Sequence, residues 1–223
     1  MENLNLDTVI VHAGSEPDIL TGAVVPPISL ATTFSQSDLG GELKGVNDLN
    51  SFGKGYEYQR TGNPTRGAFE RAIATCENGK FGVAFSSGSA ATASIIQTLK
   101  TGSHVLSIDD VYGGTQRQFR KIMYPNCGIE FDFTDMGKVE ILSDKIKNNT
   151  KLLWIETPTN PTLKITDINK ISNHIKNTLN RKDIVIAVDN TFATPYFQNP
   201  LNLGADLVVH SVTKYIGGHS DVV

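Results

Sequence analysis

From residue 81 to residue 212 the chain alternates between short apolar runs and longer amphipathic stretches, and this alternation limits the folds open to it. The runs are FGVAFSS, HVLSID, GIEFDFTD, KLLWIE, DIVIAVDN and ADLVVHSV. Each has the length of a strand and is too short to be a helix of the usual size. Runs such as IVIAV and LVV are apolar on both faces, as strands covered by helices on both sides must be. Between the runs the sequence predicts helices from about Ser89, from Gly114, near Lys138 and from Thr166. In the last of these, Ile168, Ile171 and Ile175 fall on one face behind a capping Thr166. The class is α/β, with a mostly parallel sheet and flanking helices.

The chain before this region reads differently. Residues 1–62 contain Pro26-Pro27, scattered Gly and Ser, and a polar stretch from Ser35 to Lys54. They predict an extended arm with loops rather than a packed unit. Residues 36–54 read as mobile, since Gly40, Gly41, Gly45, Gly53 and Gly55 crowd a stretch with few anchors. Pro64 suits a first helical turn, Phe69, Ile73 and Cys76 recur at helical spacing, and Gly79 is a stop signal. The division that follows is an arm over 1–62 and a large domain over 63–223. There is no internal repeat and no low-complexity segment.

A net charge of −3 supplies no basic field, which argues against nucleic acid or an anionic membrane as partner. No apolar run approaches membrane-spanning length. The first residues, MENLNLDTVIVHAGSEPD, resemble neither a secretory signal nor a transit peptide, so the expected setting is the cytoplasm. Cys76 and Cys127 are too few for a disulfide framework and read as reduced thiols. His12, His104, His174, His210 and His219 are too scattered to predict a metal site.

In an open parallel sheet, ligands bind beyond the carboxyl ends of the strands, so those ends are where chemistry is sought. After FGVAFSS comes Gly88-Ser89, a turn opening a helix whose free N–H groups favour a phosphate. It is not a P-loop, because no Gly-Lys-Ser/Thr follows. After HVLSID comes Tyr112 beside Gly113-Gly114, an aromatic that could lie against a planar ligand or simply pack in a loop. With KLLWIE comes a rigid polar turn, Glu156-Thr157-Pro158-Thr159-Asn160-Pro161. Asp189 ends IVIAV and serves equally well as a helix cap or as a charge aimed at a ligand. Ser211, Thr213 and Lys214 follow LVVH.

Together these ends supply the parts of a pyridoxal 5'-phosphate site. Such a site needs a lysine for the Schiff base and an acid to keep the pyridine nitrogen protonated. It also needs hydroxyls and helix N–H groups for the phosphate, and an aromatic over the ring. Each fragment is weak alone, and their recurrence at successive strand ends is what carries weight.

The segments AVVPPISLATTF, YEYQRTGNPTR, FSSGSAAT, DDVYGGT, WIETPTNPTLKITDI, VDNTFATPY and GADLVVHSVTKYIGGHSDVV resemble the cystathionine γ-lyase and γ-synthase family of pyridoxal-phosphate enzymes. The resemblance runs essentially the whole chain and implies the large domain of a fold-type I PLP-dependent transferase. It implies that Lys214 is the Schiff-base lysine, that Asp189 partners the pyridine nitrogen and that Tyr112 stacks on the ring and assists proton movements. Ser211 and Thr213, with the backbone at Gly88 and Ser89, become the phosphate ligands. Tyr58 and Arg60 resemble a pair that reaches the phosphate of a neighbouring subunit's cofactor, a task suited to a guanidinium. A homo-oligomer follows, a dimer of dimers at full length.

AVVPPISL, DVYGGT and WIETPTNPT are most similar to the γ-lyase branch. The implied reaction is γ-elimination of cystathionine to cysteine, 2-oxobutyrate and ammonia, with the Lys214 amine taking the α-proton. Other members of the family imply alternatives: cystathionine γ-synthase, methionine γ-lyase or a homoserine-ester sulfhydrylase. The resemblance further implies that the chain stops at Asp221-Val222-Val223, before the seventh strand of the family's sheet, and lacks a C-terminal small domain. An unpaired strand edge, an uncovered apolar face and no activity at this length are the corresponding expectations. A truncated, non-catalytic paralogue acting as a binding subunit is the reading from another class.

Overall fold

A computed structural model of the chain describes residues 5–36 and 55–223. The expected mobile stretch, residues 36–54, lies outside the described residues except for Gln36. Compact packing divides the chain between Ala84 and Phe85.

The first unit is built around two helices, α1 (Leu6–His12) and α2 (Pro64–Cys76). The segment before residue 63 is therefore not all extended, contrary to expectation. Val9 and Ala13 are buried against α2 because α1 presents them on one side. Gly14 permits the approach: a Cβ there would stand 2.1 Å from the Ala68 carbonyl oxygen, and its φ of +82° is one that side chains resist. Asn63 caps α2 by accepting from the Thr65 and Arg66 N–H groups, and Pro64 occupies the first turn. The capping amide also donates to the Ser29 carbonyl, which moors the preceding chain to the helix start. The apolar face expected on α2 is displaced. Phe69 is exposed, while Gly67, Ala68, Glu70 and Ala74 are buried, because small residues let α1 and the 81–84 segment come close. Asn78, not Gly79, takes the positive φ that ends the helix.

The second unit is a five-stranded sheet in the order β2-β1-β3-β4-β5, every pair parallel. Its strands are β1 (His104–Ile108), β2 (Glu130–Thr134), β3 (Thr150–Glu156), β4 (Val185–Asp189) and β5 (Leu207–Val209). The helices are α3 (Gly88–Gln97), α4 (Gly113–Gln118), α5 (Tyr124–Cys127), α6 (Leu142–Lys145), α7 (Ile168–Asn173) and α8 (Thr194–Phe197). A π-helical turn, Phe119–Met123, joins α4 to α5, and another, His174–Thr178, extends α7. Central strands are buried on both faces and the edge strands are not, as the position in the sheet dictates. The core is organised by Phe119, stacked on Phe131 at 4.6 Å and meeting Trp154 edge-on at 5.6 Å. Ile168, Ile171 and Ile175 are all buried on one face, as expected. The cap of α7 is Asp167 rather than Thr166, its carboxylate accepting from the Lys170 N–H.

Two expectations about strands fail. No strand forms in FGVAFSS: the run has no ladder partner among the described residues, and Phe81, Val83 and Phe85 are exposed. Strand character needs a neighbour to take the backbone hydrogen bonds, and apolar composition alone does not supply one. LVV is not covered on both sides either. Leu207 is 39% exposed, because β5 is an edge strand.

Candidate active site

The carboxyl ends of β1, β3, β4 and β5 open onto one cavity of about 230 Å³, lined entirely by residues of the second unit. Lys214, Asp189, Tyr112, Ser211, Thr213, Gly88 and Ser89 all line it. Residues separated by more than a hundred positions thus meet at one place, because a parallel sheet brings all its strand ends to the same side.

Asp189 is the last residue of β4. Its Oδ1 accepts from the Thr191 N–H at 3.0 Å and from the Thr191 hydroxyl at 2.5 Å. Thr191 Oγ1 in turn accepts from the Ser211 N–H at 2.9 Å, so the turn after β5 is tied to the acid. By accessible area the residue is only half-buried, since it faces the cavity, yet the protein around it excludes water. That desolvation pushes its carboxyl above the ordinary range. The Thr191 hydrogen bonds and the nearby His210 pull the other way.

Gly88 opens α3 behind Ser87, whose hydroxyl accepts from the Ala90 N–H at 3.1 Å. A Cβ on Gly88 would lie 2.9 Å from the Ser211 Cβ, so glycine is what lets the helix start and the β5 turn meet. The first N–H groups of a helix have no carbonyl of their own helix to bond, and here they border the cavity. The Ser89 carbonyl accepts from Gln118 Nε2, which links the start of α3 to α4. Lys214 is exposed, held by main-chain bonds from its N–H to the Ser211 carbonyl and from the Gly218 N–H to its own carbonyl. Thr213 is half-buried beside it.

Tyr112 stands before α4 and is 47% exposed. Gly114 makes room for its ring, since a Cβ there would meet the ring at 2.4 Å. The Tyr112 N–H donates to Glu156 Oε2 at 2.9 Å, and the Asn160 N–H donates to Glu156 Oε1 at 2.8 Å. Glu156 lines the cavity too, although in the sequence it reads only as the first residue of a rigid polar turn and receives no site role. The signal that could have found it is an acid closing an apolar strand, the same signal that Asp189 gives. Burial and the neighbouring Asp189 push the Glu156 carboxyl up to about 7, against the two backbone hydrogen bonds that lower it. Asn160 and Thr191, both cavity-lining, were likewise missed as site residues.

The turn after β3 is braced from β1. Asp110 accepts from the hydroxyls of Thr159 and Thr162, and Lys164 pairs with Asp109 at 3.1 Å. The two hydroxyl bonds hold the Asp110 carboxyl below the ordinary aspartate range.

Tyr58 and Arg60 lie in the first unit, outside this lining. The Arg60 guanidinium sits over the Tyr58 ring, 5.2 Å from its centre, and Tyr58 forms an antiparallel bridge with Thr33. Among the described residues no three His, Cys, Asp or Glu side chains gather where a metal could be held, and no helix is long and apolar enough to cross a membrane.

A family model described as Cys/Met metabolism PLP-dependent enzyme matches residues 7–223. The cystathionine gamma-lyase of Saccharomyces cerevisiae is 53% identical over 216 residues, covering 97% of this chain and 52% of that protein. The cystathionine beta-lyase of Coxiella burnetii is 46% identical over 219 residues, covering 98% of this chain and 53% of the relative. The crystal structure of cystathionine gamma-lyase from yeast superposes with a TM-score of 0.87 at 51% identity, covering 100% of this chain and 53% of that one. The chain spans about half the length of these relatives.

Proposed function

Since the chain belongs to the family of Cys/Met metabolism PLP-dependent enzymes, we propose that it forms the cofactor-binding part of a carbon–sulfur lyase acting on cystathionine. The observation that carries the reading is that Lys214 and Asp189 border one cavity with the glycine-opened start of α3. The residues present fit the cofactor. The close contact at Gly88 leaves helix N–H groups and the Ser211 hydroxyl together for a phosphate, and the enclosed Asp189 needs a cationic partner such as a protonated pyridine nitrogen.

In this reading Lys214 holds the cofactor covalently and Asp189 pairs with its ring nitrogen. Ser211, Thr213 and the backbone at Gly88 and Ser89 hold its phosphate, and Tyr112 covers the ring. Tyr58 and Arg60 reach the phosphate of a neighbouring subunit's cofactor, within a dimer of dimers. Bound pyridoxal phosphate supplies an electron sink for the charge left when the substrate loses its α-proton. The Lys214 amine would take that proton and return protons during the later steps. Tyr112 assists those transfers. In the net reaction the Cγ–S bond of cystathionine breaks, sulfur leaves as the thiol of cysteine, and water releases the remaining carbons as 2-oxobutyrate and ammonia. A large cofactor domain over residues 63–223 and a cytoplasmic setting belong to the same proposal and rest on the resemblance.

The test uses the full polypeptide that contains these residues, with and without Lys214→Ala. Borohydride should leave a stable pyridoxyl label on the parent and none on the variant, and the parent should release cysteine and 2-oxobutyrate from cystathionine. Equal labelling of both proteins rules out Lys214. Consumption of an acylated homoserine with cystathionine left intact would replace γ-elimination by the γ-synthase reaction. Pyruvate and homocysteine as products would point to β-elimination, the activity named for the Coxiella relative.

A further inference from the structure

We propose that Glu156 is a positioning residue of this site, its single carboxyl group holding the Tyr112 loop and the Asn160 turn in one arrangement beside Asp189. The inference rests on the cofactor reading above and deepens it.

Three observations support it. Glu156 closes β3 and is 5% exposed, so its carboxyl is anchored by a strand and not by a mobile loop. Each of its oxygens takes one backbone N–H, Oε2 from Tyr112 at 2.9 Å and Oε1 from Asn160 at 2.8 Å. One rigid group thus sets the positions of two cavity-lining segments that are 48 residues apart in the sequence. Third, Glu156 is the register partner of Asp189 in the adjacent strand. Two carboxyl groups at neighbouring strand ends, both shielded from water, resist being charged together.

The arrangement therefore responds to protons. The groups facing Glu156 are Asp189 on β4, Asp110 after β1 and the two N–H donors. The cations around them act on other acids: Lys164 pairs with Asp109, His210 acts on Asp189, and Lys214 lines the cavity. Charged Glu156 offers two strong acceptors, and neutral Glu156 turns one of its oxygens into a hydroxyl. The two segments are held more firmly when Glu156 is charged. A glutamine at this place would set an NH2 donor against one of the two N–H donors and release that segment.

The experiment compares the full polypeptide with its Glu156→Gln variant. The parent should show a step in kcat near neutral pH. The variant should lose that step and run up to about a hundredfold slower, the scale of a 1 Å misplacement of a reacting group. A parent without the step, or a variant that keeps it, overturns the proposal. Because the variant could fail to fold, hydrogen exchange is also measured on the cofactor-free parent. The Tyr112 and Asn160 amides should be better protected above neutrality than below it, after correction for the intrinsic rate. Equal protection overturns the proposal. A borohydride-stable label that persists in Lys214→Ala sinks the cofactor reading instead, and leaves the exchange result to decide on Glu156.

Discussion

Glu156 and Asp189 close neighbouring parallel strands at the same register position, so two shielded carboxyl groups stand side by side where the sheet meets the cavity. Their closeness follows from the ladder: a register shift of one residue would send one of them to the opposite face. It also makes Asp189 the largest charge acting on Glu156.

The pair should make stability fall as pH rises through the weakly acid range. Glu156 goes from an ordinary value of 4.5 to about 7 in the folded chain. Between those values the folded state holds a proton that the unfolded state has released, so raising the pH favours unfolding. Asp189, also shifted upward, acts in the same direction. Urea denaturation of the cofactor-free protein should show a loss on the order of 2–3 kcal/mol across this window. Glu156→Gln should flatten most of the slope. An unchanged slope would mean that Glu156 is charged throughout.

Gly88→Ala should loosen the cofactor. The added methyl would come within 2.9 Å of the Ser211 Cβ and 3.1 Å of its Cα, so the start of α3 or the β5 turn must move. Overpacking of this kind costs roughly 1–3 kcal/mol, which corresponds to about tenfold weaker binding or more. Titration of pyridoxal phosphate followed by absorbance measures it. Unaltered affinity would show that the helix start does not hold the phosphate.

Phe119→Ala should be the most damaging of these substitutions to the core. The ring is wholly buried between Phe131 and Trp154. Its removal should cost about 3–5 kcal/mol, read as a drop in the denaturation midpoint, while Phe119→Leu should cost clearly less.

Asp183→Asn should have a small effect with the opposite pH sign to Glu156. Arg181 Nε donates to Asp183 at 2.8 Å and Lys151 lies 2.7 Å away, which holds this carboxyl well below the ordinary aspartate range. The stabilisation is present above the unfolded value and disappears as pH falls through the folded one. The pair is solvent-exposed and screened, so about 0.5 kcal/mol is expected at neutral pH. Equal midpoints in strong acid and a small gap at neutrality would confirm the sign.

Much of the architecture was legible because it depends on local pattern. Short apolar runs in HVLSID, KLLWIE and IVIAV became buried parallel strands, and the Ile168, Ile171 and Ile175 spacing became a buried helix face. FGVAFSS had the same composition and formed no strand, since pairing depends on a neighbour and not on the run itself. The helix Leu6–His12 escaped notice in a segment dominated by turn residues, and is held by its packing on α2. The site was partly legible as well. Lys214, Asp189, Tyr112, Ser211 and Thr213 lie at or just after strand ends, Gly88 and Ser89 open a helix, and all of them line one cavity. Glu156 was not, because its role lies in two hydrogen bonds to distant main chain.

The amino-acid order by itself determined the α/β class, the mostly parallel sheet and the side of that sheet that carries the reactive residues, because alternating apolar runs and helices admit few other arrangements. Only the tertiary structure decided which of those residues share a carboxyl group, a cavity wall or a charge. Burial, register and the close approach of Gly88 to Ser211 arise between segments that are far apart along the chain, and no local pattern encodes such distances.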